Sequence, residues 1–172
     1  MKKCNQILTG ILFLLYFITV SSQNTSFTNS QIDAVLTQWH DAAANANFDA
    51  YFKYLPSNAI YIGTDPTELW NKTEFMAYAK PYFDKGKAWN FKKVERNIYT
   101  SSESDTIAWF DELLSTQMGL CRGSGVMIRK NNSWFIQHYV LSIAVPNKNV
   151  KELTLVKKAF DSLYISKALT KD

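Results

Sequence analysis

Four long stretches of strand-forming residues, joined only by short turns, fill the second half of the chain and constrain its fold more than any other feature. They run from Trp89 to Tyr99, from Thr106 to Thr116, from Leu120 to Arg129 and from Ser133 to Ala144. The two-residue link Asn131-Asn132 between the last two is a signal for a tight hairpin. Since strands joined so closely pair with their neighbours, the pattern predicts an antiparallel meander.

The first half of the chain has the spacing of helices. Apolar residues from Ile32 to Ala46 recur every three to four positions, which is typical of an amphipathic helix. Asn71 followed by Glu74 three residues later is the signature of a helix start. Together the patterns predict helices over 31–46 and 49–55, a short strand over 59–63, a third helix from Asn71 to Lys85 and a C-terminal helix over 150–164.

This order of elements predicts one α+β domain. Helices kept apart from an antiparallel sheet define that class, and a long, strongly curved sheet wrapped on three helices encloses a cone with a hollow interior. We therefore expect the cone domain over 30–146 and a helical extension over 147–172.

The N-terminus has the order of residues found in secretory signals. A basic start, Met1–Lys3, precedes an apolar run, Ile7–Val20, and the small residues Ser21–Ser22 follow. The alternative is a membrane anchor, but the apolar run is shorter than the roughly 20 residues that a spanning helix needs. We expect a signal peptide over 1–22, a disordered leader over 23–29 and a secreted or periplasmic protein.

Composition argues against several classes of function. Without Lys2 and Lys3, the 19 basic residues become 17 against 15 acidic ones, and they form no basic stripe of the kind that binds nucleic acid. Cys121 is the one cysteine beyond the signal, so no disulfide is expected within the domain. Two histidines and one thiol lack the spacing of a metal site, and we expect neither metal nor cofactor.

Three segments of the strands resemble the SnoaL-like domain family of the nuclear transport factor 2-like superfamily: Ala108–Glu112, Cys121–Val126 and Trp134–Ser142. The chain is most similar to the branch near the association domain of calmodulin-dependent kinase II, over about Ser30 to Pro146. The resemblance implies the cone fold with one pocket. It does not select a function, because this superfold carries isomerases, dehydratases, cyclases, ligand binders and assembly domains.

Two adjacent acids are candidates for the interior of the cone. Strand alternation places Asp111 and Glu112 on opposite faces, so one of them points inward. In the kinase association domain the position matching Asp111 lines the pocket, and the resemblance therefore implies a pocket place for Asp111, although the residue type differs. The alternative is an acid on a solvated face of the sheet.

His138 is the histidine of the sheet and the best chemical candidate, because it can change charge near neutral pH. An Asp111–His138 pair in a dry pocket has the groups for proton transfer. The alternative is a structural histidine that faces outward while Tyr139 and Leu141 face inward. Arg122 can pair across the hairpin with one of the two acids. His40, on the first helix, is expected to be exposed.

Aromatic residues near the expected mouth of the pocket suit a small amphipathic ligand. Tyr61 and Trp70 are the candidates there, with Arg122 and Tyr139 as further ligand-binding residues on the sheet. The strands are apolar on both faces, which predicts a symmetric homodimer packed through the sheet. The alternative is that the C-terminal helix covers that face.

Three classes of function remain open. The first is a non-catalytic ligand-binding or assembly domain. The second is a small lyase or isomerase that uses acid–base chemistry, and the third is an accessory protein that binds a partner. The first two differ in whether Asp111 and His138 face one cavity within hydrogen-bond reach, and the third requires a large exposed apolar patch.

Overall fold

The helices at the start of the domain follow the predicted order. The computed structural model describes residues 28–170, so the predicted signal peptide and most of the leader lie outside the described residues. Helix α1 occupies 28–44, α2 Phe48–Phe52 and α3 Lys72–Asp84. Thr28 and Asn29, which the sequence assigned to a disordered leader, belong to α1.

Local side-chain bonds fix where two of these helices begin. The Asn47 side chain accepts a hydrogen bond from the Ala50 amide at 3.1 Å at the start of α2. At the start of α3, the Glu74 amide donates to Asn71 Oδ1 at 3.0 Å and the Asn71 amide donates to Glu74 Oε2 at 2.9 Å. Such reciprocal bonds satisfy two amides that the helix itself leaves free, so the predicted start of α3 is confirmed.

Six strands form one curved sheet in the order β2-β1-β6-β5-β4-β3. They are β1 Ile60–Ile62, β2 Leu69–Asn71, β3 Lys92–Thr100, β4 Ile107–Thr116, β5 Gly119–Lys130 and β6 Ser133–Ile143. The predicted meander is confirmed, since β3 to β6 pair in sequence and antiparallel. Asn131 and Asn132 both have positive φ, 50° and 61°, as the favoured two-residue hairpin turn requires.

The inner face of the sheet packs on the helices through an aromatic core. Trp39 of α1 stacks on Tyr51 of α2 with ring centroids 5.0 Å apart and meets Tyr139 of β6 edge-on at 4.8 Å. Phe75 of α3 lies 3.9 Å from the ring of Tyr61 on β1. These large rings fill most of the space that the sequence predicted to be hollow.

The C-terminal helix barely contacts the domain. After a 3-10 turn at Asn147–Asn149, helix α4 runs over Val150–Leu169 and buries none of its side chains. Tyr164 donates a hydrogen bond to the Pro66 carbonyl at 3.0 Å. The predicted helix is confirmed and is longer than expected, but it leaves the outer face of the sheet uncovered. None of the helices within residues 28–170 is long and apolar enough to cross a membrane.

Candidate functional site

Glu112, rather than Asp111, is the acid that points into the domain. On β4 the buried side chains are Ala108, Phe110, Glu112 and Leu114, and Glu112 is 0% exposed. Asp111 lies on the outer face, where it accepts hydrogen bonds from Tyr99 at 3.0 Å and Asn97 at 3.3 Å. The prediction that Asp111 projects into the cone is therefore wrong. Both faces of β4 carry apolar residues, so alternation alone left the choice open.

The Glu112 carboxylate accepts four hydrogen bonds. Oε1 accepts from Tyr139 Oη at 2.9 Å and from His40 Nε2 at 2.8 Å. Oε2 accepts from Arg96 Nε at 2.9 Å and from Arg96 Nη2 at 2.7 Å. Burial by itself raises the pKa of Glu112, but the bond from His40 and the charge of Arg96 outweigh burial and hold the pKa below its ordinary value.

Arg96 ties this carboxylate to helix α1. Its side chain is 1% exposed. Its Nη1 donates to Asp33 Oδ1 at 2.9 Å, to the Asp33 carbonyl at 3.1 Å and to Thr37 Oγ1 at 3.1 Å. The network therefore joins α1 to β3, β4 and β6, and each oxygen of Glu112 is already used. We call the buried residues His40, Arg96, Glu112 and Tyr139, together with the partly exposed Asp33, the buried network.

A glycine makes room for the buried network. A Cβ on Gly123 would lie 2.2 Å from Tyr139 Oη, closer than side-chain atoms approach, and 3.0 Å from Glu112 Cγ, which is a tight contact. Gly123 pairs directly with Glu112 across the β4–β5 ladder. Glycine within a strand marks a close approach of this kind, and it was the signal in the sequence that something large packs over this position.

His40 is buried, and its predicted exposure is wrong. Its ring is 4% exposed, and it lies 4.9 Å from the ring of Trp39 and 5.9 Å from that of Phe91. The partner that accounts for its burial, Glu112, is 72 positions away in the chain. No local pattern could have revealed that pairing.

His138 and Arg122 lie on the outer face of the sheet. The ladder between β5 and β6 shifts register between Val126 and Met127, and His138 pairs with Val126 while Tyr139 is fully buried. Arg122 is 58% exposed and approaches Asp111 at 3.4 Å. The structure therefore does not bring Asp111 and His138 together around an interior cavity, and their role in catalysis stays a prediction.

Tyr61 and Trp70, the predicted ligand-binding pair, do line a cavity. It has a volume of about 140 Å³ and lies between β1, β2, α3 and the loops at that end of the domain. Its lining consists of Tyr61, Gly63, Thr64, Glu68, Trp70, Phe75, Tyr78, Trp89, Phe91, Gln117, Met118 and Leu141. Tyr139, also predicted to bind ligand, lies behind this lining, with its ring 5.4 Å from that of Tyr61. Sequence reasoning missed Glu68.

Within residues 28–170, no three histidine, cysteine or acidic side chains are grouped so that they could hold a metal ion. Cys121 is a free, buried thiol.

The comparison with protein families decides the classification. Residues 32–146 match the profile of the SnoaL-like domain. The chain belongs to the SnoaL-like domain family. No curated protein matches its sequence.

Solved structures share the fold of this SnoaL-like domain at low sequence identity. A nuclear transport factor 2-like protein of unknown function from Pseudomonas putida has a TM-score of 0.58 and 11% identity, covering 70% of this chain and 89% of its own. The association domain of C. elegans calmodulin-dependent kinase II has a TM-score of 0.55 and 17% identity, covering 68% and 97%. A proposed dehydratase from Streptomyces avermitilis has a TM-score of 0.57 and 11% identity, covering 68% and 96%.

The outer face of this SnoaL-like domain exposes apolar side chains. Trp109 is 46% exposed, Tyr99 43% and Ile107 45%, and the rings of Trp109 and Tyr99 stack with centroids 6.1 Å apart. Across the ladder, Val126 lies opposite Trp109 and Ile128 opposite Ile107. We call these five residues the outer patch. Asp111, Arg122 and Asn97 form a polar region beside it.

Proposed function

We propose that this SnoaL-like domain is an assembly module that forms a symmetric homodimer through the outer patch. The observation that carries the proposal is the exposure of Trp109 and Tyr99 on a sheet face that α4 leaves open. Contiguous exposed apolar surface marks an interaction site in soluble proteins. A patch on one face of a sheet can meet its own copy across a twofold axis.

In the buried interior the Glu112 carboxylate is not free for acid–base catalysis, and this favours assembly as the function. Glu112 is buried among four donors and carries no free lone pair for a substrate proton. The alternative, a lyase or isomerase using Asp111 and His138, requires both groups at one cavity, whereas neither lines the cavity at Tyr61. The similarity to an association domain is consistent with assembly.

The experiment is light scattering coupled to size exclusion over a range of concentrations. We expect the wild type to be a dimer and Trp109→Glu to be a monomer, because the variant places a charge at the centre of the interface. Leu69→Glu is the matched control, since Leu69 is an exposed apolar residue at 64% on the edge strand β2. A wild-type monomer at high micromolar concentration, or a dimer that survives Trp109→Glu with native circular dichroism, would contradict the proposal.

A second function, the binding of a small molecule, is favoured by the cavity beside Tyr61 and Trp70. Its aromatic lining provides apolar contact area, while Thr64, Glu68 and Gln117 provide polar groups. Cavities of this mixed kind are the usual form of a ligand site. Binding and assembly do not compete, because the cavity and the outer patch involve different residues.

We also propose that the protein is exported. The basic start, the apolar run Ile7–Val20 and the small residues after it support export, although they lie outside the described residues. Mass spectrometry of the protein isolated from outside its host cells should give an N-terminus at or near Gln23. Recovery of exported protein that retains Met1 would rule out cleavage.

A further inference from the structure

The cavity beside Tyr61 has one charged group in its lining. Glu68 alone among its lining residues in the described part of the chain carries a formal charge at neutral pH. The other polar side-chain groups are the Thr64 hydroxyl, the Gln117 amide, the hydroxyls of Tyr61 and Tyr78 and the indole N–H groups of Trp70 and Trp89. A ligand in this cavity therefore meets negative charge and neutral dipoles, and it meets no cation that could hold a carboxylate or a phosphate.

The Glu68 carboxylate is held in a defined place. Its Oε2 accepts a hydrogen bond from the Asp65 amide at 3.1 Å, and its own amide donates to the Asp65 carbonyl at 3.0 Å. Gly63 lies directly beneath: a Cβ there would be 2.1 Å from Glu68 Oε2. The turn and the glycine thus fix a half-buried carboxylate at the cavity.

Aromatic rings supply most of the remaining wall. Six of them line the cavity: Tyr61, Trp70, Phe75, Tyr78, Trp89 and Phe91. Trp70 and Tyr78 stack on each other with ring centroids 4.4 Å apart, so each covers one face of the other, and Tyr78 is 40% exposed. The π-face of an aromatic ring attracts a cation, and tryptophan and tyrosine are the strongest at doing so.

The raised pKa values of Tyr61 and Tyr78 agree with a negative charge beside the cavity. Burial, the hydrogen bond and charge of Tyr82, and the charge of Glu68 raise the pKa of Tyr78 to about 12. Burial is also the main cause that raises the pKa of Tyr61, and the charge of Glu68 raises it further. Both phenols are therefore neutral at physiological pH, and the nearby charge that acts on both is negative.

We propose that this cavity binds a small alkylated ammonium cation, with Glu68 as its counter-ion and the aromatic lining as its wall. The proposal rests on the ligand-binding function proposed above and adds the charge of the ligand to it. The volume of about 140 Å³ suits a small headgroup, because pockets for drug-sized ligands measure about 300 Å³ or more.

The test uses three probes of similar size and different charge: tetramethylammonium, neutral tert-butanol and the pivalate anion. Binding is measured by calorimetry and by shifts of the Trp70 and Trp89 indole signals in ¹H–¹⁵N spectra. We expect tetramethylammonium to bind at least about tenfold more tightly than either other probe, a difference within the range of a desolvated cation–π contact together with a counter-ion.

Variants assign the effect to particular residues. Glu68→Gln should weaken tetramethylammonium binding by about tenfold and leave tert-butanol unaffected, while Glu103→Gln, a matched change in a distant exposed loop, should alter neither. Tyr78→Phe should retain binding and Tyr78→Leu should weaken it, because phenylalanine keeps an aromatic ring in the lining and leucine does not. The Tyr78 pair tests the proposal even if Glu68→Gln fails to fold.

The outcomes separate the two proposals. If tert-butanol or pivalate binds as well as tetramethylammonium, the cavity binds ligands but the inference about charge is wrong. If Glu68→Gln binds tetramethylammonium like the wild type, the inference is also wrong. If none of the probes binds, both the inference and the ligand-binding function fail, while the assembly proposal is unaffected because light scattering tests it alone.

Discussion

Two acids next to each other on β4 have opposite surroundings. Glu112 on the inner face is 0% exposed and accepts four hydrogen bonds. Asp111 on the outer face is 29% exposed at its side chain, and its ion pair with Arg122 is long, at 3.4 Å. A carboxylate thus forms a fixed hydrogen-bonded link between buried side chains on the inner face, and it is a partly exposed surface charge on the outer face. In this domain, burial and the number of donors decide what a carboxylate does.

The comparison extends to the two faces of the whole sheet. The inner face is filled by aromatic rings and by the buried network, so little of the expected hollow remains. The outer face carries the exposed outer patch, and α4 does not cover it. The inner face therefore accounts for much of the stability, whereas the outer patch, the open end near Tyr61 and the exposed apolar side chains of α4 are available to a partner.

The largest expected effect comes from breaking the buried network at its cation. Arg96→Met should lower the free energy of unfolding by about 3–5 kcal/mol, because it leaves the Glu112 carboxylate buried without its counter-ion. Urea denaturation followed by circular dichroism measures the change. The matched variant on the outer face, Arg122→Met, should cost at most about 1 kcal/mol, since exposed ion pairs contribute little. Equal losses in the two variants would show that the two faces do not differ as described.

A smaller effect is expected from filling the space beneath Tyr139. Gly123→Ala should cost about 1–3 kcal/mol, because its methyl group would overlap Tyr139 Oη and force a shift. Tyr139→Phe removes that oxygen, so the double variant should lose less than the sum of the two single losses. Strictly additive losses in thermal or urea unfolding would mean that Gly123 and Tyr139 are not in contact.

Local patterns in the sequence predicted most of the fold. Alternation and tight turns gave the meander, and the pair Asn71 and Glu74 gave the start of α3. Strand β2 was missed because it has only three residues and ends at Asn71, the same residue that caps the helix. Elements that depend on neighbours a few residues away could be read from the sequence, and a strand that depends on pairing with β1 could not.

The candidate site was harder to predict because its contacts are distant in the chain. Tyr61 and Trp70 line a cavity, and their binding of a ligand stays a prediction. The choice between Asp111 and Glu112, and the burial of His40, depended on side chains that meet only in the folded domain. The register shift beside His138 is likewise a property of the paired strands, since nothing in the sequence of β6 alone marks it.

The last prediction concerns acid pH and the same network. The pKa values of Glu112 and Asp33 are both lowered in the folded state from their ordinary values of 4.5 and 3.8. In each case burial opposes the shift, and bonds to His40 and Arg96 for Glu112, or to Lys93 and Arg96 for Asp33, outweigh it. A carboxyl with a depressed folded pKa adds stability that is complete above its unfolded pKa and is lost as the pH falls through the folded value.

We therefore expect the unfolding free energy to decline below about pH 4.5, with each such group contributing a slope of at most about 1.4 kcal/mol per pH unit. Glu112→Gln removes one titrating group, so its curve should decline less steeply than that of the wild type, even if it begins lower. If Glu112→Gln and the wild type declined in parallel, the Glu112 carboxyl would not have the depressed pKa that its four donors imply.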